Sequence, residues 1–387
     1  MTVTTPKGFR AAGVEAGLKN SGGLDVVLVV NDGPSAAAAA VFTENRCEAH
    51  PVTWSRKVVG DGTVSAIALN SGGANCFTGE FGAETTRLTA ERTAEHLGIG
   101  AGDVLVCSTG LIGMGDQGWR DKLLAGLDQA YPALASDEQA GSNAADGILT
   151  TDSVRKVSTR EGSGYSIGAM AKGAGMLAPG LATMLVVITT DADLESAQLD
   201  AALRQATRLT FDRVDSDGCM STNDTVALMA SGASGVTPEI EEFTRLLTEV
   251  CAALSKMLQQ DAEGASHDIT IITTGAASEQ EAVDVSRAVS RSNLFKAAIF
   301  GNDPNWGRVL AAIGTTSAQF DPQAIDVSMN GIMVCKAGTP HAPVDSVDLT
   351  PRATEVLIDL HAGDATATIL TNDLTHDYVH ENSAYSS

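Results

Sequence analysis

Short apolar runs alternate with stretches of helical spacing along almost the whole chain, and this alternation limits the fold more than any other feature. Strand-length runs occur at Asp25–Val30, Val64–Asn70, Val104–Ser108, Met184–Thr189, Val226–Ala230, Ile269–Thr273, Ile325–Met329 and Thr366–Leu370. Between them, Ile240, Phe243, Leu247, Val250, Leu254 and Met257 keep a 3.6-residue period, with Thr237 and Pro238 expected as N-cap and first helical residue. Ser278 with Glu281 reads as a capping box opening a helix through Ala282, Val285 and Val289. Leu199, Ala202, Leu203 and Ala206 mark another helix, and Ala90, Ala94 and Leu97 a weaker one closed by Gly98. Interleaved strands and helices predict an α/β or α+β fold. The 387 residues allow two or three domains, with a break expected within residues 265–280. Ala36 to Ala40 is a low-complexity run, and Gly232 to Thr237 and Lys336 to Asp345 read as loops.

Charge narrows the partners. Asp and Glu number 48 against 25 Lys and Arg, a formal net charge of −23, so phosphate backbones and anionic lipid surfaces are repelled. No apolar stretch approaches membrane-spanning length, and Met1 to Arg10 has no signal-peptide core. Cys47, Cys76, Cys107, Cys219, Cys251 and Cys335 form no CxxC pair, which fits reduced thiols in the cytoplasm.

Most motifs read blandly. Gly72-Gly73-Ala74 and Gly173-Ala174-Gly175 match no nucleotide-binding loop and are expected as tight turns with close backbone approach. His376 and His380 stand four apart but lack a clear third ligand, so no metal is expected. No Gly-x-Ser-x-Gly elbow accompanies the scattered histidines. The segment from Met170 to Asp191 is different, because a Gly- and Pro-rich stretch runs straight into an apolar strand with Ala182-Thr183 at the junction. A hydroxyl there suits attack on the preceding carbonyl, and the threonine α-amine released, with an unperturbed pKa of about 7.7–8.0, suits a general base. Spacing alone favours the plainer reading of Thr183 as merely the first residue of a core strand.

Nine motifs in order change the balance. They are Asn70-Ser-Gly-Gly-Ala-Asn-Cys76, Cys107-Ser-Thr-Gly-Leu-Ile-Gly113, Leu149-Thr-Thr-Asp152, Lys172-Gly-Ala-Gly-Met-Leu-Ala-Pro179, Ala182-Thr-Met-Leu185, Ser221-Thr-Asn-Asp-Thr225, Asp261-Ala-Glu-Gly264, Phe300-Gly-Asn-Asp-Pro-Asn-Trp-Gly-Arg308 and Glu381-Asn-Ser-Ala-Tyr-Ser-Ser387. Together they resemble the ornithine acetyltransferase family, also called the bifunctional glutamate N-acetyltransferases of arginine biosynthesis.

The resemblance implies self-cleavage between Ala182 and Thr183, giving an α chain of residues 1–182 and a β chain from residue 183 that assemble as an α2β2 heterotetramer. It implies a layered αββα core like that of the DmpA-type aminopeptidases over 1–275, and a smaller C-terminal α/β lobe over 276–387 whose tail returns to the active site. Acetyl would pass from N2-acetylornithine to Thr183 and on to glutamate, with no cofactor. Acetyl-CoA as a further donor is left open by the residues. Thr109 and Gly110 match the oxyanion-hole pair, and Thr150, Lys172, Thr183, Glu263, Asn382 and Ser387 match substrate-contacting positions. Without the family, Lys172 reads as a surface lysine and Glu263 as a glutamate at a helix C-terminus.

Leu149, Cys219-Met220 and His267-Asp268 depart from the family pattern, the last placing local charge near Glu263 in question. Two rivals stand beside the transferase: a self-cleaving amidase or aminopeptidase using the same threonine, and a non-catalytic binding protein that keeps the fold.

Overall fold

The computed structural model describes residues 1–178 and 184–384. Ala182, Thr183 and Ser387 lie outside the described residues. The described chain divides into two compact units, one of residues 1–174, 184–212 and 220–258, the other of residues 175–178, 213–219 and 259–384.

In the first unit the elements run β1 (Phe9–Val14), β2 (Val26–Asn31), β3 (Ala37–Phe42), α1 (His50–Val58), β4 (Ala66–Ser71), α2 (Gly79–Leu97), β5 (Val104–Thr109), α3 (Gln117–Ala130), α4 (Glu138–Gly147), β6 (Lys156–Glu161), β7 (Ser166–Lys172), β8 (Leu185–Thr190), α5 (Ser196–Leu209), β9 (Thr225–Ala230) and α6 (Ile240–Gln260). One sheet has the order β1-β2-β4-β5, the other β3-β9-β8-β7-β6. β4–β5 and β8–β9 pair parallel, and the other neighbours in these sheets antiparallel. The inner faces share one core, in which Val29, Leu69 and Leu105 of the first sheet join Ala40, Met170, Val187 and Met229 of the second. α2 and α3 cover the outer face of the first sheet through Ala90, Ala94, Leu123 and Leu127, packed with Val26, Leu28, Ala68 and Val106. On the far side α5 packs on β3, and Phe243 of α6 meets the Tyr165 ring at 6.1 Å between centroids. Strands buried on both faces read as continuous apolar runs, which is why β2, β4, β5, β8 and β9 were legible. The layered αββα order follows.

Two expectations need correction. The run Ala36 to Ala40 supplies most of β3, where small side chains let α5 approach one face while Ala38 and Ala40 fill the core on the other. The long helix starts at Ile240, not after Thr237, because Val236 is held in a loop by Asp193 N–H to its carbonyl (2.8 Å) and by the Ser234 hydroxyl at its N–H (3.1 Å).

The second unit holds β10 (Asp268–Ala276), α7 (Glu279–Ser290), α8 (Asn293–Phe300), α9 (Trp306–Ile313), β11 (Asp326–Met329), β12 (Ile332–Lys336), β13 (Thr339–Pro340), β14 (Ala353–Asp359), β15 (Ala365–Asn372) and α10 (His376–Ala384). Its sheet has the order β13-β12-β11-β14-β10-β15, with β13 inside the segment expected to be a loop. Ile271, Val285, Val289, Phe295, Val327 and Ile358 join in its core, and Ser278 caps α7 by accepting the Glu281 N–H at 3.2 Å. The unit begins after Leu258 rather than at residue 276, because Gln259 donates to the carbonyls of Ile269 (2.8 Å) and Thr371 (2.9 Å) within this second sheet. Among the described residues no helix is long and apolar enough to cross a membrane.

The last helix is pinned at its start. Thr375 Oγ1 donates to Gly264 O (2.6 Å) and accepts the Tyr378 N–H (2.9 Å), while Gly264 sits at φ +60°, where a Cβ would fall 2.2 Å from Tyr378 N. Gly264→Ala is therefore expected to displace α10. Limited proteolysis should release the segment after residue 375 from the variant well before it does so from the parent chain.

Candidate active site

Two glycine-rich turns close the C-terminal ends of the parallel pair β4–β5, where Ser71 aligns with Thr109. Gly72 and Gly110 hold φ +104° and +126°, and a Cβ on Gly110 would lie 2.5 Å from Gly73 N. Only glycine allows that approach. It lets Gly73 N–H donate to Thr109 O (3.0 Å) and Ala74 N–H to Leu111 O (2.9 Å). Asn70 fixes the turn from inside, donating to Gly73 O (3.0 Å) and accepting from Ser108 Oγ (2.6 Å). Two donors remain unspent. The Thr109 hydroxyl, on a 3 % exposed residue, and the Gly110 N–H bond no other described residue. A hydroxyl and an N–H side by side, neither bonded to a described residue, suit an oxyanion site.

The second sheet brings its own ends to this place. Lys172 of β7 pairs with Leu185 of β8, which pairs with Thr225 of β9. Just before β9, Asn223 Nδ2 reaches across to Ala74 O (2.6 Å) and Ser108 O (2.8 Å), while Thr222 Oγ1 donates to Asn223 Oδ1 (2.6 Å). The start of β8, Leu185, thus lies at the same end of the sandwich as Thr109 and Gly110.

Lys172 is not a surface lysine. It is 2 % exposed and faces the Asp152 carboxylate at 3.7 Å, which also binds Lys156 Nζ (2.7 Å) and accepts the N–H groups of Gly173 (2.6 Å) and Thr150 (3.1 Å). Burial alone would raise the Asp152 pKa, but the two lysine charges and the Gly173 N–H outweigh it and bring it to about 2. Buried ammonium groups such as these suit carboxylate partners. Thr150, half-buried, stands at the edge of this cluster.

The second unit gathers the other expected residues. Glu263 lies in the turn after α6, not in the helix, and accepts a hydrogen bond from Asn382 of α10 at 3.1 Å. Gly175 packs so close that a Cβ would meet Glu263 Oε1 at 2.5 Å. His376 and His380 do share a helix, with the His376 ring edge-on to Phe300 at 5.4 Å. Asp152, Asn223 and Asp224 were quoted within motifs but given no role by sequence. Their signal is polar side chains bordering apolar strands.

Asp152 sets an acid limit on stability. Its folded pKa near 2 lies below the usual unfolded value of about 3.9, so its contribution is complete above about pH 5 and disappears as pH falls toward 2. Asp152→Asn removes the carboxylate charge that two buried ammonium groups face and is expected to cost about 3–5 kcal/mol at pH 7. Urea unfolding should show the gap to the parent chain narrowing as pH falls from 5 toward 2.

Comparison with known proteins gives this arrangement a family. The ArgJ family profile matches residues 10–387. The arginine biosynthesis bifunctional protein ArgJ of Streptomyces coelicolor is 58% identical over 387 residues, covering all of both chains, and that of Thermobifida fusca is likewise 58% identical over 387 residues with full coverage. A solved ornithine acetyltransferase from Mycobacterium tuberculosis, complexed with ornithine, is 46% identical, with 48% of this chain and 96% of that chain covered and a TM-score of 0.45. With a profile spanning nearly its whole length and relatives matched end to end, the chain belongs to the ArgJ family.

Proposed function

We propose that this ArgJ-family enzyme of arginine biosynthesis moves the acetyl group of N2-acetylornithine to glutamate through an acetyl ester on Thr183. The observation that carries the reading is the unspent donor pair, Thr109 Oγ1–H and Gly110 N–H, at the end of the sandwich where β8 begins. In the proposed cycle the chain first cleaves itself between Ala182 and Thr183, freeing the threonine α-amine. That amine takes the proton from Oγ as Oγ attacks the acetyl carbonyl. Thr109 and Gly110 receive the developing oxyanion. Ornithine leaves as its nitrogen is protonated, and the neutral amine of glutamate attacks the ester to give N-acetylglutamate.

The remaining assignments follow the same reading. Lys172 takes the substrate carboxylate, with Thr150 beside it, and Glu263 pairs with the cationic side-chain amine, with Asn382 and Ser387 completing the substrate contacts. No cofactor is needed, since hydroxyl and amine come from the chain itself. The relatives carry the name bifunctional, and acetyl-CoA stays open as a second donor to glutamate. The proposal includes an α2β2 assembly of the two cleaved chains in the cytoplasm. Family membership favours the transferase over the amidase reading.

Intact-mass analysis with acetyl-transfer assays tests this directly. The purified protein should yield pieces of 182 and 205 residues (387 − 182 = 205), whereas Thr183→Ala should remain whole and inactive. Acetyl transfer to glutamate is then followed with N2-acetylornithine and with acetyl-CoA as separate donors. Hydrolysis of N2-acetylornithine without transfer would instead select the amidase. Thr109→Val should lower kcat by about 10²-fold with KM little changed, because an oxyanion donor acts where charge develops. A raised KM at constant kcat would place Thr109 in ground-state binding.

A further inference from the structure

Asp224 is a carboxyl in a costly place. Its residue is 0 % exposed, Oδ1 accepts the Met184 N–H at 3.0 Å, and Oδ2 is buried without a hydrogen-bond partner. Buried side-chain oxygens without partners are uncommon and destabilising, so the position asks for an account. What Oδ1 does hold is specific. Met184 N belongs to the peptide unit that joins residues 183 and 184, and Met184 O accepts the Thr225 N–H at 3.2 Å. Asp224 and Thr225 therefore grip one residue from both its amide and its carbonyl, and that residue is the one after the threonine.

We propose that Asp224 is a positioning residue for Thr183, fixing the peptide unit on its C-terminal side so that the hydroxyl is aimed first at the Ala182 carbonyl and later at the acetyl group. This rests on the functional reading above. The side chain needs only an acceptor oxygen for the task, not a charge. Burial pushes its pKa well above the ordinary carboxylate range, against the Met184 N–H, the Ser221 hydroxyl and the Lys172 charge, which favour the anion. An amide, which offers the same acceptor, should thus replace the acid, whereas an apolar side chain of similar size should not.

Asp224→Leu and Asp224→Asn, each read in protein that melts cooperatively, separate positioning from packing. The Leu variant is expected to slow self-cleavage and lower kcat by about 10–100-fold, the effect of one misplaced hydrogen bond, with KM little changed. The Asn variant should recover most of both losses. A folded Leu variant that cleaves and transfers at the parent rate overturns the proposal, as does an Asn variant impaired as far as the Leu variant. Should the Leu variant not fold, the Asn variant decides alone: near-parent rates support an acceptor role, and loss of cleavage and turnover contradicts it. A parent chain that stays whole, or a Thr183→Ala chain that still transfers acetyl, rejects the functional reading instead, so the two failures are distinct.

Discussion

One side-chain amide ties the two sheets of the first unit together at the end where the chemistry is proposed. Asn223 comes from the second sheet and spends both Nδ2 protons on carbonyls of the first, Ala74 O and Ser108 O. Those carbonyls flank the turns that carry Gly73 and Thr109, and the next residue along, Asp224, holds Met184. Position therefore passes through a few bonds from the oxyanion turn to the strand behind the proposed nucleophile. Each buried carbonyl left without its donor would cost about 1–3 kcal/mol, so the bridge rigidifies as well as aligns.

Charge is arranged against the grain of the whole chain. Within a protein of net charge −23, two buried lysines, Lys156 and Lys172, face the carboxylate of Asp152. In the second unit the pattern reverses, with Glu263 beside Asn382 offering acceptors.

Much of the fold was written in local pattern, because strands buried on both faces have to be apolar throughout. What stayed hidden depended on neighbours. β3 is alanine-rich and β7 contains Gly168 and ends in Lys172, so neither looks like a strand until β9, β8 and α5 pack against them. The site was less legible. Nothing in the order Cys107-Ser-Thr-Gly shows that Gly110 must pack closely on Gly73; that appears only when the two turns meet. Lys172 looked like a surface residue because the carboxylate it faces, Asp152, stands twenty residues away (172 − 152 = 20). The resemblance supplied those roles, and the geometry supplies physical reasons for several of them.

The central claim is an acetyl ester on Thr183, and trapping it is the most direct test. The enzyme would be mixed with N2-acetylornithine in the absence of glutamate, quenched in acid within the first turnover, and its two pieces weighed. The account predicts that the piece beginning at residue 183 becomes heavier by one acetyl group, mapped to its N-terminal peptide, and loses it when glutamate is added before the quench. An enzyme that transfers acetyl at full rate while that piece is never acetylated, or is acetylated elsewhere, would contradict it.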